Sequence, residues 1–191
     1  MRTLYVTEFI TLDGVIDSPG GDEGHPHAGW SFKDVDYVPE AYALKAQEQD
    51  EAGALMLGRA SYELFAPVWP SMTEEFPRYN ALPKYVVSTT LQDDQLVDDW
   101  GDITILRSTD DVAAVKATDG GPISVHASSG LAKSLAAAGL VDRYHLLVFP
   151  LVLGTGKRLW DDTSTDKHRL RLVESETYAN GIQKQIFDVV R

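Results

Sequence analysis

Short apolar segments alternate with segments of helical composition along most of the chain, and this alternation restricts the possible folds more than any other feature. The apolar segments predict strands at Thr3 to Leu12, Ala54 to Leu57, Lys84 to Ser88, Ile103 to Leu106, Ile123 to His126 and Arg143 to Leu153. The segments between them predict helices at Pro39 to Glu51, from Arg59 to just before Pro67, from Ser108 or Thr109 to about Ala117, and from Ser128 or Ser129 to Gly139. Strands that alternate with helices form a largely parallel sheet with helices on both faces.

The carboxyl-terminal part of the chain follows a different pattern. Arg169 to Tyr178 and Ile182 to Val190 flank Asn180-Gly181, a dipeptide that favours a β-hairpin because both residues tolerate positive φ. Upstream, the run from Arg143 to Leu153 is so continuously apolar that it predicts a central strand covered on both faces. We therefore expect a single α/β domain over residues 1–191, with a mostly parallel central sheet flanked by helices and a C-terminal antiparallel hairpin.

Composition and charge narrow the possible functions. With 17 Lys and Arg residues against 29 Asp and Glu, the formal net charge is −12, which disfavours binding to nucleic acids and to anionic membranes. The absence of cysteine excludes disulfides, thiolate metal sites and a cysteine nucleophile. No apolar run approaches the roughly 20 residues of a membrane-spanning helix, and the amino terminus, with Glu8 in its strand, lacks the pattern of a signal peptide. We expect a cytoplasmic protein.

Polar residues with an affinity for phosphate follow one of the predicted strands directly. In Leu57-Gly58-Arg59-Ala60-Ser61-Tyr62-Glu63, a strand turns through glycine into a helix, whose first N–H groups attract anions. Gly58 lets a ligand approach the backbone, Arg59 offers a bidentate cation, and Ser61 adds a hydroxyl. A plain strand-to-helix turn with a surface arginine accounts for the same residues, so the segment alone leaves both interpretations open.

Two further strand ends carry small polar residues. Ser88 and Thr89 follow the strand at Lys84, at the edge where open α/β sheets bind ligands, although they also suit an ordinary loop. Ala127, Ser128 and Ser129 follow His126 at the start of a predicted helix, where either a second anion site or an ordinary helix N-cap fits.

Other motifs are weaker. The run Gly154-Thr155-Gly156-Lys157-Arg158 fails as a phosphate loop because Leu151 stands where the first glycine belongs and Arg158 where Ser or Thr belongs, which leaves a sheet-edge turn that could touch a ligand. His25 and His27 lack the spacing of a metal site, and we predict no bound metal. Asp161, Asp162 and Asp166 suit a solvated loop. Neither a GxSxG nucleophile elbow nor a GxGxxG dinucleotide fingerprint is present.

The strand-end motifs together resemble those of the dihydrofolate reductase superfamily. Within it, the chain most resembles stand-alone proteins similar to the carboxy-terminal reductase domain of bifunctional riboflavin biosynthesis enzymes. The resemblance covers essentially the whole chain. It is carried by Thr11-Leu12-Asp13-Gly14, Leu57 to Glu63, Val86-Val87-Ser88, Val125-His126-Ala127-Ser128, Pro150 to Gly154 and the final hairpin.

The resemblance implies a cofactor and a set of site residues. Gly58, Arg59 and Ser61 would hold the phosphates of NADPH, with Arg59 near the 2′-phosphate. Ser88 and Thr89 would lie beside the adenosine ribose, and Ala127, Ser128 and Ser129 would hold the pyrophosphate. Gly154 would contact the cofactor at the sheet edge. Asp13 would face the nicotinamide and the substrate, where it could donate or relay a proton or orient a substrate nitrogen. Asp13-Gly14 is also a common turn pair, so a turn residue that bonds only its own backbone is the alternative. Many relatives carry glycine where Ala127 and Ser128 stand. These 191 residues show no counterpart of the zinc deaminase half of the bifunctional enzymes, so we expect no deamination from them.

The resulting prediction is an NADPH-dependent reductase that transfers a hydride to a small, heterocyclic substrate of the pterin or pyrimidine kind. A non-catalytic nucleotide- or small-ligand-binding protein on the same fold is the alternative, and an interaction scaffold is a third class, because a fold does not determine a function. Trp69 and Trp160, expected to be exposed, suggest a homodimer.

Overall fold

The strands and helices follow the predicted alternation closely. The computed structural model describes residues 1–21, 24–161 and 167–191. Within them the strands are β1 (Leu4–Thr11), β2 (Ala54–Gly58), β3 (Lys84–Val87), β4 (Ile103–Leu106), β5 (Ile123–His126), β6 (Arg143–Phe149), β7 (Arg169–Thr177) and β8 (Gln183–Val190). The helices are α1 (Trp30–Lys33), α2 (Ala43–Glu51), α3 (Arg59–Phe65), α4 (Pro77–Ala81), α5 (Thr109–Ala117) and α6 (Ser129–Ala137), with 3₁₀ turns at Pro39–Tyr42, Trp69–Ser71 and Asp93–Gln95.

All of these strands join one sheet in the order β4-β3-β2-β5-β1-β6-β8-β7. The strands from β4 to β6 in this order are parallel, whereas β8 runs antiparallel to both β6 and β7. The predicted α/β architecture with its C-terminal hairpin is therefore confirmed. None of the helices in the described part of the chain is long and apolar enough to cross a membrane.

Two local predictions need correction. Strand β6 ends at Phe149 rather than Leu153, because Pro150 follows it and has no N–H to continue the ladder. In the hairpin, only Gly181 of the Asn180-Gly181 pair has positive φ, at 82°. The N–H of Gly181 bonds to the carbonyl of Tyr178, so the turn is longer than a two-residue loop.

Helices cover both faces of the sheet and determine where a ligand can enter. Val112 of α5 and Leu131 of α6 pack with Val6 of β1 on one face, while Tyr62 of α3 packs with Leu57 on the other. The crossover from β1 to β2 passes through α2 on one face of the sheet, and the crossover from β5 to β6 passes through α6 on the other face. Neighbouring strands whose connections diverge in this way open a crevice at their carboxyl ends, where α/β proteins bind ligands.

The exposed position expected for Trp69 is wrong. Only 8% of this residue is accessible, because its ring packs against Phe65, Phe76 and Tyr79. Its place between two short helices, in a segment rich in other aromatic residues, buries it on the same face as α3. Trp160, by contrast, is 37% exposed, so one of the two aromatics proposed for a dimer contact remains accessible.

Candidate functional site

The first phosphate candidate lies at the start of α6, where the backbone has an unusual conformation. Ala127 and Ser128 have φ values of 52° and 74°, in the left-handed region that favours glycine. The hydroxyl of Ser128 does not cap its own helix. It accepts the N–H of Gly58 at 2.9 Å and donates to Ser61 Oγ at 2.7 Å. The predicted N-cap position is thus correct for Ser128, but the capping hydrogen bond is absent.

The consequence is a helix start with free donors. Among the described residues, no acceptor is bonded to the backbone N–H groups of Ser129, Gly130 and Leu131, and the first intrahelical bond is that of Ala132 N–H to the carbonyl of Ser128. Unsatisfied N–H groups at a helix start carry partial positive charge and bind anions. The hydrogen bonds of Ser128 bring Gly58 and Ser61 beside this helix start, so three of the predicted phosphate residues lie together.

Arg59 lies at the neighbouring strand end but is not free. Its Nε donates to Glu63 at 2.7 Å and its Nη1 to Thr90 Oγ1 at 2.6 Å, and the side chain remains 39% exposed. A guanidinium has five N–H groups, so donors remain for a phosphate. Glu63 opposes phosphate binding at this position, because its carboxylate already neutralises Arg59 and would repel an anion. Thr90, which follows Ser88 and Thr89 in the same run of hydroxyl residues, holds the guanidinium on the β3 side.

Ser88 and Thr89 differ in accessibility. Ser88 is buried, and its Oγ accepts the N–H groups of Thr90 at 3.2 Å and Leu91 at 3.0 Å, which shapes the loop after β3. Arg107 supports the same loop by donating to the carbonyl groups of Ser88 and Leu91. Thr89 is exposed at the tip of the loop. Of the predicted pair, Thr89 is therefore the residue that a ligand can reach, while Ser88 organises the backbone.

The carboxylate of Asp13 accepts several hydrogen bonds, which is not the environment expected of a proton donor. Its Oδ1 accepts hydrogen bonds from Thr11 Oγ1 at 2.6 Å and from Leu153 N–H at 3.2 Å, and its Oδ2 accepts from Gly154 N–H at 2.8 Å. Partial burial raises the pKa of Asp13, but the hydrogen bonds from Thr11, Gly154 and Leu153 together bring it down to about 2. The carboxylate carries no proton to donate at neutral pH, which weighs against the acid role expected from the sequence. It instead ties the turn after β1 to the loop after β6, and it occupies the Gly154 N–H that was assigned to a ligand.

A buried polar network lies on the face of the sheet that α2 covers, and the sequence reasoning missed it. Glu48 of α2 is 2% exposed and accepts hydrogen bonds from Thr7 Oγ1 at 2.8 Å and from His145 Nδ1 at 2.9 Å. Lys45 donates to both Thr7 Oγ1 and Glu48, and its Nζ lies 5.3 Å from the ring centre of Phe9. Burial alone would raise the pKa of Glu48, but Lys45 and His145 lower it, so the carboxylate is ionised.

His126 extends the network toward the edge of the sheet. It ends β5, pairs in register with Thr7, and its ring lies edge-on to those of Phe65 and Trp69 at centroid distances of 5.8 and 5.2 Å. Its Nδ1 is buried and has no hydrogen-bond partner among the described residues. Burial, helped by the nearby positive charge of Lys45, lowers the pKa of His126 to about 4, so the ring is neutral near pH 7.

A series of aromatic rings leads from the end of β1 to the surface. Phe9 meets Tyr42 edge-to-face at 5.8 Å, and Tyr42 stacks between Phe32 at 6.1 Å and Tyr37 at 5.3 Å. Phe32 and Tyr37 are 59% and 69% exposed. Exposed aromatic faces beside a polar interior suit a flat ring system, because stacking and edge contacts add to simple apolar burial.

One signal in the sequence could have indicated this network. Lys45 and Glu48 are three positions apart on a predicted helix and therefore share a face. The polar side chains that they contact, Thr7 and His145, come from β1 and β6, which only the folded sheet brings together.

The remaining weak motifs gain no support as sites. His25 and His27 lie 5.9 Å apart between ring centres, and His25 is 3.4 Å from the carbonyl of Thr155. Within the described ranges no group of acidic and histidine side chains could hold a metal. Asp161 pairs with Lys133. Asp162 and Asp166 lie outside the described residues.

Solved structures with this architecture include reductases. A putative riboflavin biosynthesis protein from Shewanella sp. PV-4 superposes with a TM-score of 0.76 at 18% identity, over 100% of both chains. A pyrimidine reductase-like protein from Corynebacterium diphtheriae gives 0.66 at 15% identity, over 100% of this chain and 92% of the other. The dihydrofolate reductase of Enterococcus faecalis, solved in complex with NADP(H) and RAB-propyl, gives 0.62 at 15% identity, over 99% of this chain and 97% of the other. These likenesses establish the dihydrofolate-reductase-like fold.

The sequence comparisons agree with this fold. The uncharacterised protein YyaP of Bacillus subtilis is 23% identical over 97% of this chain and 94% of its own length. The family model of the RibD C-terminal domain matches residues 2–184. The chain therefore belongs to the RibD C-terminal domain family, whose fold is that of reductases.

Proposed function

We propose that the protein is an NADPH-dependent reductase that transfers a hydride to a small, flat heterocyclic substrate of the pterin or pyrimidine kind. The single observation that carries the proposal is the uncapped start of α6, whose free N–H groups lie at the carboxyl edge of the sheet beside Gly58 and Ser61. A dinucleotide needs such a site for its pyrophosphate. The NADP(H) bound to the structurally similar dihydrofolate reductase supports the choice of cofactor.

The other phosphate determinants fit the same cofactor. Arg59 and Thr90 lie at the ends of β2 and β3, on the far side of the α6 start from β1. A 2′-phosphate there would meet the unused N–H groups of Arg59, and Thr89 would lie beside the ribose. With the pyrophosphate at α6, the nicotinamide end of the dinucleotide then extends to the crevice between β5 and β1. Ala127 and Ser128 stand where many relatives carry glycine. They are compatible with this arrangement, because both residues adopt the left-handed conformation that favours glycine.

The substrate side of the crevice is the one that α2 covers. Phe9 and Tyr42 offer faces and edges to a flat ring, and neutral His126 can donate or accept a hydrogen bond at its edge. Bound NADPH supplies the hydride. Lys45 is the proton-bearing side chain next to both Phe9 and the Thr7–Glu48 pair, so we assign the accompanying proton to Lys45 rather than to Asp13. Glu48 holds the Lys45 ammonium in place.

The alternative is a non-catalytic protein that binds a nucleotide or another small ligand on the same fold. The reductase and a nucleotide-binding protein both predict saturable NADPH binding, which tryptophan fluorescence can follow in a titration of the purified protein. Only the reductase oxidises NADPH, which is measured as loss of nicotinamide absorbance with a panel of pterins and aminopyrimidines. Binding without oxidation across the panel would favour a nucleotide-binding protein, and the absence of NADPH binding would contradict the reductase and leave only a protein that binds another small ligand.

We further propose that the protein acts in the cytoplasm and forms a homodimer. Among the described strands β7 pairs only with β8, which leaves an edge strand on which Leu172 and Val173 are 51% and 49% exposed. Apolar residues on an open edge strand favour association with a second copy. Sedimentation equilibrium distinguishes a dimer from a monomer.

A further inference from the structure

Glu8 is a buried carboxyl group that none of the interactions described above uses. It lies in β1 between Val6 and Ile10, on the face that packs against α6, and only 4% of the residue is exposed. Its Oε1 is buried and has no hydrogen-bond partner within the described residues. A buried polar atom without a partner costs free energy, so a protein that retains one has a use for it or accepts a less stable fold.

The position of Glu8 in the sheet is at the mouth of the crevice. Strand β5 pairs with β1 up to Thr7, which lies opposite His126, and then turns away through Ala127. Glu8 is the next residue of β1, and among the described strands it pairs only with Leu146 of β6, on the other side. The side chain is therefore located where β1 and β5 separate, next to the space that the proposed function assigns to the nicotinamide ring.

The charged groups around Glu8 come from a few elements. From α2, the ammonium of Lys45 and the carboxylate of Glu48 act on it in opposite directions, and Glu48 is itself bonded to His145 of β6. His126 of β5 is neutral. The side chains of α6 on this face are apolar. Burial is the dominant effect and raises the pKa of Glu8 well above its ordinary value, although Lys45 opposes this shift.

We propose that Glu8 compensates the positive charge of the oxidised nicotinamide: it is a neutral acid beside the reduced cofactor and a carboxylate beside the oxidised one. This inference rests on the proposed function. Hydride transfer removes two electrons and one proton from the ring as H⁻, which leaves the ring with one positive charge. Breaking the O–H bond of Glu8 releases one proton to solvent and leaves a carboxylate that pairs with this charge. Glu8 acts on the charge of the cofactor and does not protonate the substrate, whose proton we assigned to Lys45.

The prediction is a proton release that depends on the redox state of the cofactor. NADP⁺ binding releases about one proton more than NADPH binding, because only the oxidised ring favours the Glu8 carboxylate. The affinity for NADP⁺ therefore rises with pH, on the order of 10- to 100-fold in total for charges this close in a protein interior. The affinity for NADPH does not show this rise with pH, because the reduced ring carries no positive charge. Titration of the 2′-phosphate contributes equally to both cofactors and cancels in the comparison.

Calorimetric titration in two buffers of different ionisation enthalpy counts the released protons directly. Wild-type protein should show the one-proton difference between NADP⁺ and NADPH, and Glu8→Gln should abolish it while it preserves NADPH affinity. Glu174→Gln, which removes an exposed carboxylate on the distant edge strand, is the matched control and should retain the difference. The wild-type measurement stands even if Glu8→Gln fails to fold.

Equal proton release for the two cofactors in the wild type would overturn the role of Glu8 and leave the reductase proposal intact. A difference that survives in Glu8→Gln would do the same. If neither cofactor binds, the proposed function itself fails, and the role of Glu8 fails with it.

Discussion

The hydroxyl of Ser128 accepts the backbone N–H of Gly58 at 2.9 Å, although 70 positions separate the two residues. This bond joins the ends of β5 and β2 and turns the hydroxyl away from its own helix. It leaves the start of α6 uncapped, and the free N–H groups there are the basis of the proposed pyrophosphate site.

Ser128→Asp tests that site through charge. The new carboxylate can still accept the Gly58 N–H, so we expect the melting temperature to change by only a few degrees. It would also place a negative charge where a pyrophosphate binds, and NADPH affinity should fall at least about 10-fold. Ser128→Asn is the matched control, because asparagine tolerates the left-handed conformation without charge. Equal affinities in the two variants would remove the pyrophosphate from this position.

Substitutions of Arg59 and Glu63 should change the preference for NADPH over NADH in opposite directions. Charge-assisted hydrogen bonds to a phosphate contribute about 1.5–3 kcal/mol, so Arg59→Ala should weaken NADPH binding by roughly 10- to 100-fold and NADH binding far less. Glu63→Gln removes the carboxylate that neutralises Arg59 and should strengthen NADPH relative to NADH. Competition titrations with both cofactors measure these ratios. Parallel changes for NADH and NADPH would show that Arg59 does not contact the 2′-phosphate.

Asp13→Asn should affect stability more than chemistry. The wild-type carboxylate has a pKa of about 2, below its ordinary value of 3.8, so it stabilises the fold above pH 3.8 and loses this contribution as the pH falls toward 2. The variant should lose about 1–3 kcal/mol of unfolding free energy at neutral pH. Its stability should also depend less on pH between 4 and 2. Denaturant unfolding measures both effects. A stable variant with turnover reduced by about 100-fold would instead restore Asp13 as the acid.

Lys45 requires a test that separates stability from proton donation. Lys45→Met leaves Glu48 charged and buried without its cation, and this should cost about 3–5 kcal/mol of unfolding free energy. The double variant Lys45→Met/Glu48→Gln removes both charges and should recover most of that stability. Turnover should stay low in both variants if Lys45 supplies the proton. Recovery of turnover together with stability would reduce Lys45 to a structural partner of Glu48.

The sequence was sufficient to predict the elements whose signal is local. The apolar run at Ile123 to His126 and the Gly181 turn depend on neighbouring residues alone, and both were located correctly. The hydroxyl of Ser128 could not be oriented, because its acceptor role depends on Gly58 from a different strand. The Glu48 network was missed for the same reason, since Thr7 and His145 approach it only across the sheet.

Two local patterns had more than one meaning: the exposed position expected for Trp69 was wrong, whereas the role expected for Asp13 stays a prediction. Asp13-Gly14 is both a turn pair and a possible acid site, and only the N–H groups of Leu153 and Gly154 reveal that the carboxylate is already hydrogen-bonded. Trp69 lies in a segment rich in proline and aromatic residues, where the sequence does not distinguish an exposed ring from a buried one. Its burial follows from packing between Phe65 and Phe76.

Hydride transfer itself is the central claim, and isotope labelling tests it most directly. NADPH carrying deuterium at either the pro-R or the pro-S position of C4 is incubated with the protein and the pterin and aminopyrimidine panel, and the products are analysed by mass spectrometry. The account predicts one deuterium in a reduced product from one of the two labelled cofactors and none from the other, because a fixed crevice presents a single face of the ring. Unlabelled products and undiminished NADPH across the panel, from a protein that binds the cofactor, would contradict it.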